Sequence, residues 1–257
     1  MKKTLSVIIA LVMMLSLASV AFAADGTTVY VTITDKNKNF VVANEAVAVT
    51  DIDEDQAITI NDALYCAHEK FYSGGAKAGY ASSMTTYGLS LDMLWGYKSP
   101  DNFGYYNNNA SAWNLGDNLK DGDCVYAFVY TDTQNWSDTY SFFGSTSTEA
   151  IAYGTVDVVL NCLEFDMETF TNVEKPVEGA TILVNGKDSG VVTDKDGKAT
   201  VTVASFGDSI ISAEKDGVNL VPPICVADVS FEFASITNMI SYFINLIFGS
   251  ITGLFSK

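Results

Sequence analysis

The sequence predicts two domains, a small α+β unit followed by an all-β antiparallel sandwich, and an amphipathic helix at the C-terminus. Three observations lead to this prediction. In residues 24–150, alternating strand patterns flank a single helical pattern. Residues 151–229 contain short strand patterns separated by regular turn signals. Residues 230–257 again have the period of a helix. With 257 residues, the chain is long enough for two domains that each bury a core.

Residues 1–23 have the organisation of a secretory signal peptide. Lys2 and Lys3 precede an apolar run at residues 5–20, and Ala-Phe-Ala at residues 21–23 is an A-x-A site after which cleavage is expected. A transmembrane anchor is the alternative, but the apolar run is short and ends in small residues. We therefore expect a secreted, extracellular protein, either free or associated with the cell surface.

The charged residues exclude several classes of function. The chain has 31 acidic residues, 14 lysines and no arginine, and its net charge is −17. We expect no binding to nucleic acid, because that affinity comes from lysine and arginine at the phosphates. The single histidine excludes most histidine-based catalytic and zinc sites, and no pair of carboxylates stands out as that of a glycosidase. We therefore expect a protein that is not an enzyme.

The first unit begins with two strands. Residues 28–34 alternate apolar and polar side chains, which is typical of a half-buried strand. The polar residues 35–39 turn the chain, and residues 40–49 return as a second strand. Further short strands are expected near residues 87–94 and 124–130, so the single helix lies among several strands.

The helix of the first unit is predicted after residue 59. Thr59 and Asp62 have the spacing of a capping box, and Gly74-Gly75 should end the helix. Its apolar positions recur at three- and four-residue steps: Ile60, Ala63, Leu64, Ala67 and Phe71.

The second unit has the pattern of an Ig-like β-sandwich. Short alternating runs occur at residues 156–162, 180–184 and 199–203, without a helical period. Three dipeptides suited to tight hairpins follow or separate such runs: Asn185-Gly186, Asp196-Gly197 and Asp216-Gly217. The boundary with the first unit is expected near residues 145–152.

The C-terminal segment, residues 235–257, predicts an amphipathic helix with almost no charge. Its apolar stripe contains Ile236, Met239, Ile240, Phe243, Ile247, Ile251 and Leu254. Seven serine, threonine or asparagine residues between Ser235 and Phe255 argue against a membrane-spanning helix. The apolar face must still be covered, and its candidate partners are the protein's own domain, a second copy or a membrane surface.

Residues 51–62 have the ligand spacing of an EF-hand calcium loop. Counted from Asp51 as position 1, oxygen donors fall at positions 1, 3, 5, 9 and 12, and the backbone carbonyl of position 7 is available. The predicted ligands are Asp51, Asp53, Asp55, Ala57, Thr59 and Asp62. Calcium takes six to eight hard oxygen ligands, and a loop that wraps the ion brings them together. We therefore expect a structural calcium ion at the start of the helix.

Two positions depart from the EF-hand pattern. Position 6 is Gln56, where glycine usually makes a sharp turn, and position 12 is Asp62 instead of glutamate, as in the calcium loops of dockerin modules. The alternative is a solvated acidic turn in which Asp62 only caps the helix. A weak extracellular site, with a Kd of ~10⁻⁴–10⁻³ M, would still be filled where calcium is millimolar.

Four cysteines follow the predicted cleavage site. An even number outside the cell permits disulfides, and two cysteines lie in each half of the chain. This distribution favours the pairs Cys66–Cys124 and Cys162–Cys225. Four buried free thiols are the alternative, because cysteine is an ordinary small core residue.

Aromatic residues are concentrated between the helix and the second unit. Those that form a candidate ligand surface are Trp95, Tyr97, Tyr105, Tyr106 and Trp113. Aromatic rings beside asparagine side chains can stack on sugars while the amides bind hydroxyl groups. Ordinary packing of strands and loops is the alternative for the same residues.

Four segments of the first unit form a recognisable set: DIDEDQAITINDALYCAHEKFY at residues 51–72, GGAKAGY at 74–80, YGL at 87–89 and DGD at 121–123. They resemble secreted proteins of Gram-positive gut anaerobes. Those proteins carry a β-grasp domain of unknown function, similar to the C-terminal domain of transcobalamin and intrinsic factor. The resemblance implies a helix that crosses a small sheet, a DGD turn before the closing strand, and calcium ligands at Asp51, Asp53, Asp55 and Asp62.

Residues 176–204, with the runs VEGATI and VTDKDGKAT, resemble carboxypeptidase-regulatory and bacterial Ig-like β-sandwich modules. Both resemblances imply a bacterial surface or secreted binding protein. We therefore expect a non-catalytic, calcium-stabilised adhesion or scaffold protein whose protein or glycan partner the sequence does not identify. The alternatives are a carrier of a sugar or corrinoid that uses the aromatic residues, and a membrane-active protein that uses the C-terminal helix.

Overall fold

The computed structural model describes residues 26–99 and 102–252. The predicted signal peptide, residues 1–23, lies outside the described residues, as do residues 253–257 of the predicted C-terminal helix. The helices of the described chain are α1 (Ile60–Phe71), α2 (Ala76–Gly79) and α3 (Phe233–Thr252).

Most of the remaining chain forms β-strands. The strands of the first unit are β1 (Thr27–Thr34), β2 (Phe40–Val49), β3 (Ala81–Thr85), β4 (Gly88–Leu94), β5 (Tyr97–Lys98), β6 (Phe103–Asn107), β7 (Ala110–Ser111) and β8 (Cys124–Val129). The strands of the second unit are β9 (Thr139–Phe143), β10 (Ser147–Ile151), β11 (Gly154–Asp166), β12 (Thr171–Pro176), β13 (Thr181–Val184), β14 (Lys187–Val192), β15 (Lys198–Val203), β16 (Ser209–Glu214), β17 (Leu220–Val221) and β18 (Cys225–Ser230).

The first unit is built on a mixed five-stranded sheet with the order β2-β1-β8-β6-β7. The hairpin β1–β2 and the pair β6–β8 are antiparallel, whereas β1 and β8 run parallel in the centre. A separate sheet contains β3, β4 and β5. The strands predicted at residues 28–34 and 40–49 are confirmed. The parallel partner of β1 is β8, which lies far along the chain, so local pattern alone does not predict this pairing.

Helix α1 packs on one face of this sheet. Thr59 and Asp62 form the predicted capping box, in which each residue's side chain accepts a hydrogen bond from the other's backbone N–H. The helix ends at Phe71, before the predicted end at Gly74-Gly75, and α2 follows as one short turn. The core between helix and sheet contains Val29, Val31, Ile33, Ile60, Ala63, Leu64, Ala67, Val125, Ala127 and Val129. The apolar helical period therefore identified the buried face of α1 correctly.

The second unit is a two-sheet β-sandwich. One sheet has the order β10-β18-β16-β13-β14, and the other has the order β12-β11-β9-β17, with β15 also paired to β11. The inner faces of both sheets supply one core, which includes Val158, Leu160, Ile182 and Val201. This arrangement agrees with the predicted Ig-like architecture at the level of a sandwich.

Two details of the predicted sandwich are corrected by the structure. The strand pairs β10–β18 and β9–β17 are parallel, because they join segments that are distant in sequence and not linked by hairpins. The sandwich also begins earlier than the predicted boundary at residue 151, since β9 and β10 already hydrogen-bond with its strands.

The second unit covers the face of the first sheet that points away from α1. Thr32 and Thr34 of β1 are buried there, although their alternation with apolar residues predicted an exposed face. The cluster between the two units consists of Tyr126, Phe128, Tyr140, Phe142 and Val221. The hydroxyl of Tyr126 donates a hydrogen bond of 2.5 Å to the carbonyl oxygen of Pro222. The two units therefore share a packed aromatic interface.

One side of helix α3 contacts the sandwich. Ser235 is buried, and the Tyr242 ring lies 5.6 Å from that of Tyr153. The exposed apolar side chains of the helix are Ile236, Ile240, Phe243, Ile244 and Leu246. Within the described residues, no helix has the length and apolar character required to cross a membrane. Association of residues 235–257 with a membrane surface or a second copy stays a prediction.

Candidate functional site

The acidic loop between β2 and α1 brings three of the predicted calcium ligands together. Carboxylate oxygens of Asp51, Asp53 and Asp55 all lie within 4.8 Å of one another. Asp53 and Asp55 are exposed, whereas Asp51 is half-buried at the base of the loop. The alternate spacing of these residues, recognised in the sequence, therefore corresponds to a real convergence of side chains.

Hydrogen bonds to the loop's own backbone hold it in shape. Asp51 Oδ2 accepts from the backbone N–H of Gln56 at 2.7 Å, and Asp51 Oδ1 accepts from that of Asp55 at 3.2 Å. Asp55 Oδ1 accepts from the Ala57 backbone N–H at 2.8 Å. Gln56 has a φ of +71°, in the left-handed region that glycine usually occupies at this position. The turn thus forms without glycine, at a cost of about 1–3 kcal/mol.

Thr59 and Asp62 have a different role from the three clustered aspartates. Asp62 is 1% exposed, and its Oδ2 accepts from the backbone N–H and the hydroxyl of Thr59 at 2.8 and 2.6 Å. Its Oδ1 accepts from the backbone N–H of Ile52 at 3.0 Å. Asp62 therefore ties the acidic loop to the first turn of α1, and it lies outside the group of three convergent carboxylates.

The closely spaced carboxylates of the loop affect one another's pKa values. Partial desolvation and the neighbouring carboxylates of Asp55 and Asp62 raise the pKa of Asp53. Desolvation also acts to raise the pKa of Asp51, but hydrogen bonds from the Gln56, Asp55 and Glu54 backbone outweigh it and lower that pKa. A cation among these three carboxylates would relieve their mutual repulsion.

The donor chemistry of the loop fits calcium. Its convergent side chains offer only hard carboxylate oxygens, and the chain's single histidine, His68, is a buried residue of α1. A weak calcium site completes its coordination with backbone carbonyls and water. The residues that would hold the ion by side-chain oxygens are Asp51, Asp53 and Asp55, with the negative charge of Asp62 close behind them.

A segment that the sequence did not single out supports the end of the loop. The backbone N–H of Leu119 donates to the carbonyl of Ile58 at 2.7 Å, and that of Asn61 donates to the carbonyl of Leu115 at 2.9 Å. Thr59 and Asn118 form an isolated antiparallel bridge. These contacts join the acidic loop to residues 115–119, and only the tertiary structure reveals them.

The four cysteines are free in the structure, which corrects the predicted disulfide pairs. Cys66 packs against the core on the α1 side of the first sheet. Cys124 lies on the opposite face, because its neighbour Val125 points into the α1 core, and its sulfur is 3.7 Å from the Thr146 hydroxyl. The sheet itself therefore separates these two cysteines. Cys162 and Cys225 are both buried in the sandwich core as thiols.

Because the four thiols are free, we predict that all of them can be detected by a thiol reagent. After unfolding in denaturant without reductant, all four cysteines of the chain should react with Ellman's reagent, because none of their sulfur atoms is bonded in a disulfide. A fully reduced sample provides the control for complete reaction. Release of two thiols or none would instead show that disulfides form.

The five candidate ligand-binding aromatics do not form one surface. The Trp95 ring is half-buried, 5.2 Å from His68 and 5.0 Å from Tyr72 by ring centroids. Tyr97 packs edge-on against Phe103. Tyr106 stacks on Tyr140 at 3.7 Å in the interface between the two units. Packing therefore accounts for Trp95, Tyr97 and Tyr106.

Tyr105 and Trp113 remain together in one open groove. The groove has a volume of about 320 Å³, and Tyr87 lines it as well. Tyr87 and Trp113 are each 82% exposed. The sequence prediction included Tyr105 and Trp113 but missed Tyr87. Tyr87 could have been found in the sequence as an aromatic residue directly before the glycine of a hairpin turn.

A larger cleft of about 590 Å³ lies where the two units meet, lined among others by Lys38, Phe40, Ile210 and Leu220. Burial lowers the pKa of Lys38. Its ammonium group donates hydrogen bonds of 2.5 and 2.6 Å to Asn219 Oδ1 and the carbonyl of Leu220. Lys38 therefore joins the two units across the edge of this cleft.

The fold and the site together describe a mainly β protein with two units, an acidic loop that precedes its first helix, and a two-sheet β-sandwich. No protein-family model matches the chain, and no curated protein matches it. A solved structure of Sidekick-1 immunoglobulin domains 1–4 is 14% identical, with a TM-score of 0.21 over 80% of this chain and 51% of that one. Murine CEACAM1b is 8% identical, with a TM-score of 0.18 over 80% of this chain and 100% of that one.

The alignment spans about half of the Sidekick-1 structure. At such TM-scores neither likeness bears on the function of this chain. The description of the second unit as a sandwich rests on its own strand order and shared core.

Proposed function

We propose that this chain is an exported, non-catalytic binding protein of bacterial surface type, in which calcium stabilises the first unit. The convergence of Asp51, Asp53 and Asp55 is the observation that carries this proposal. The loop is already folded by its own hydrogen bonds, so an ion would add coordination without rearranging the backbone. It also immediately precedes α1, so the ion would strengthen the start of the helix that covers the core.

We further propose that the first unit is a β-grasp domain. Its sheet has a central parallel pair, β1–β8, flanked by antiparallel neighbours, and α1 packs across one face. The DGD turn at residues 121–123 also precedes the strand beside β1: Asp121 Oδ1 accepts from the Thr28 backbone N–H at 2.9 Å. These features support the resemblance to the transcobalamin-type β-grasp domain noted in the sequence.

Calcium titration tests the proposed metal site. Titration of calcium into the chelator-treated chain, followed by calorimetry, should show one site per chain with a Kd of ~10⁻⁴–10⁻³ M. Asp53→Asn should weaken binding at least tenfold, because it removes a ligand charge from the cluster. Asp53 is preferred to Asp51 or Asp62, whose carboxylates also hold the loop and the helix.

Glu54→Gln is the matched control. Glu54 lies in the same exposed loop and has the same charge, but it is not among the three convergent residues. Its substitution should leave calcium affinity within about twofold, the small change expected for a screened surface charge. Absence of calcium binding by the unaltered chain, or equal losses in the two variants, would remove the metal site from the proposal.

A second candidate function is the transport or capture of a small ligand by the aromatic residues. The groove that retains Tyr105 and Trp113 supports this candidate. Because the groove is open and has a volume of only about 320 Å³, it suits a sugar chain that extends beyond it better than a corrinoid, which needs a larger enclosing pocket.

A further inference from the structure

We propose that the groove between the β3–β4 turn and residues 112–117 binds an uncharged carbohydrate, which stacks on Tyr87 and Trp113. This inference rests on the proposed binding function and adds to it the chemical class of the ligand. We call this site the Tyr87–Trp113 groove. It lies in the first unit, and its volume of about 320 Å³ is at the lower end of the range for small-ligand sites.

The exposure of the two rings distinguishes them from the protein's other aromatic residues. Tyr87 and Trp113 are each 82% exposed, and neither ring contacts another aromatic ring of the described chain. By contrast, Trp95 packs against His68, and Trp136 lies 5.2 Å from Tyr130. Two large apolar surfaces that face the same groove without a partner favour stacking of a ligand there.

Both rings are carried by anchored backbone. On the Tyr87 side, the Thr85 hydroxyl donates to the carbonyl of Gly88 at 2.8 Å and accepts from the backbone N–H of Tyr87 at 3.1 Å. On the Trp113 side, the backbone N–H of Trp113 donates to Asp117 Oδ2 at 2.7 Å. A backbone held in place loses less freedom when a ligand binds, which favours affinity.

The two sides of the groove are also packed against each other. The Leu115 backbone N–H donates to the carbonyl of Leu89 at 3.0 Å. Gly88 has a φ of +111°, and a Cβ at that position would lie 2.9 Å from Cγ of Asn114. Glycine therefore permits both the turn and the close approach of Asn114. The relative position of the two backbone segments that carry the rings is therefore set before any ligand arrives.

The polar groups of the groove indicate the class of ligand. Hydroxyl and amide side chains of Thr85, Ser90, Tyr105 and Asn114 line it, and none of the described lining residues is charged. Such groups exchange hydrogen bonds with sugar hydroxyls, while aromatic rings cover the apolar faces of sugar rings. The chain's net charge of −17 opposes an anionic ligand, so a neutral carbohydrate fits best.

Affinity electrophoresis tests this proposal with defined probes. The full mature chain is run through gels that contain a neutral polysaccharide, namely mixed-linkage β-glucan, galactomannan, arabinoxylan, starch or levan. We expect retardation by at least one of these polysaccharides. Trp113→Ala and Tyr87→Ala should each weaken that binding about tenfold, because each variant removes one stacking surface. Both residues are exposed, so the variants should fold, as an unchanged melting temperature would verify.

Trp136→Ala is the matched control, since Trp136 is a half-exposed tryptophan outside the groove. It should retain the binding of the unaltered chain. Lack of retardation by all five polysaccharides, or equal losses in the Trp113 and Trp136 variants, would overturn the carbohydrate assignment. Calcium titration of the same preparation separates the two proposals: a normal calcium response with no retardation leaves the metal site intact and refutes only the groove.

Discussion

Addition of millimolar calcium to the chelator-treated protein is expected to raise its thermal unfolding midpoint by about 1–6 °C. Millimolar calcium is about one- to tenfold above a Kd of ~10⁻⁴–10⁻³ M, which adds ~0.4–1.4 kcal/mol to the free energy of unfolding. Each kcal/mol moves the midpoint of a chain this size by roughly 2–4 °C. The gain arises because the crowded carboxylates of Asp51, Asp53 and Asp55 converge only in the folded loop. Differential scanning calorimetry with calcium and with chelator measures the shift.

Variants in the acidic loop show whether this stabilisation is specific. Asp53→Asn should lose nearly all of this calcium shift, because weaker binding leaves its site largely empty at millimolar calcium. In chelator alone it should be at least as stable as the unaltered chain, since it removes one of the repelling charges. Glu54→Gln should keep the full calcium response. A calcium effect that survives in Asp53→Asn would place the ion elsewhere in the protein.

Acidification from pH 6.5 to pH 4 is expected to lower the free energy of unfolding by about 3 kcal/mol through His68 alone. The ring is 0% exposed, and burial lowers its pKa to about 4 despite the hydrogen bond to the Leu64 carbonyl. The unfolded chain therefore binds a proton below pH 6.5 that the folded chain does not bind until about pH 4. Stability is full above pH 6.5 and falls by about 1.4 kcal/mol per pH unit within this window.

The contacts of His68 explain why it stays neutral. Nδ1 lies 2.6 Å from the carbonyl oxygen of Leu64, and Nε2 accepts from the Trp95 backbone N–H at 3.0 Å. Nδ1 therefore carries the hydrogen. The rings of Tyr72, Tyr80 and Trp95 surround the imidazole, so a positive charge there would lack a carboxylate partner.

Urea unfolding at pH 7.0, 6.0, 5.0 and 4.0 isolates this effect when the unaltered chain is compared with His68→Gln. The glutamine variant should be less stable at pH 7.0 because it disturbs a buried pair of hydrogen bonds. Its stability should change much less between pH 6.5 and 5, since glutamine does not titrate. Parallel pH profiles for both proteins would contradict the assignment of this window to His68. Chelator is present throughout, so titration of a metal site does not contribute.

The acidic loop and the Tyr87–Trp113 groove share one connecting segment. Residues 115–119 hydrogen-bond with Ile58 and Asn61 at the end of the acidic loop, and Asp117 holds the backbone of Trp113. The start of α1 and the groove are therefore parts of one hydrogen-bonded region of the first unit. This connection gives the acidic loop a structural effect beyond the helix that it precedes.

Features that depend on neighbours in sequence were predicted well. The alternation of Val29, Val31 and Ile33 identified the core face of β1, and the spacing of Thr59 and Asp62 identified the capping box at α1. The alternate aspartates at residues 51–55 identified the convergent loop, because a loop that wraps around itself brings such residues to one centre. Periodicity and capping depend on residues that are close in sequence, so both can be recognised from the sequence alone.

Features that depend on distant parts of the chain required the tertiary structure. The second unit buries Thr32, Thr34 and Tyr106, and the first sheet separates Cys66 from Cys124. The sequence by itself determined strands β1 and β2, helix α1 and the acidic loop, because their patterns repeat every two or a few residues. Only the tertiary structure decided which aromatic rings face water and which cysteines lie on opposite faces of a sheet. Those properties depend on which sheet faces pack together.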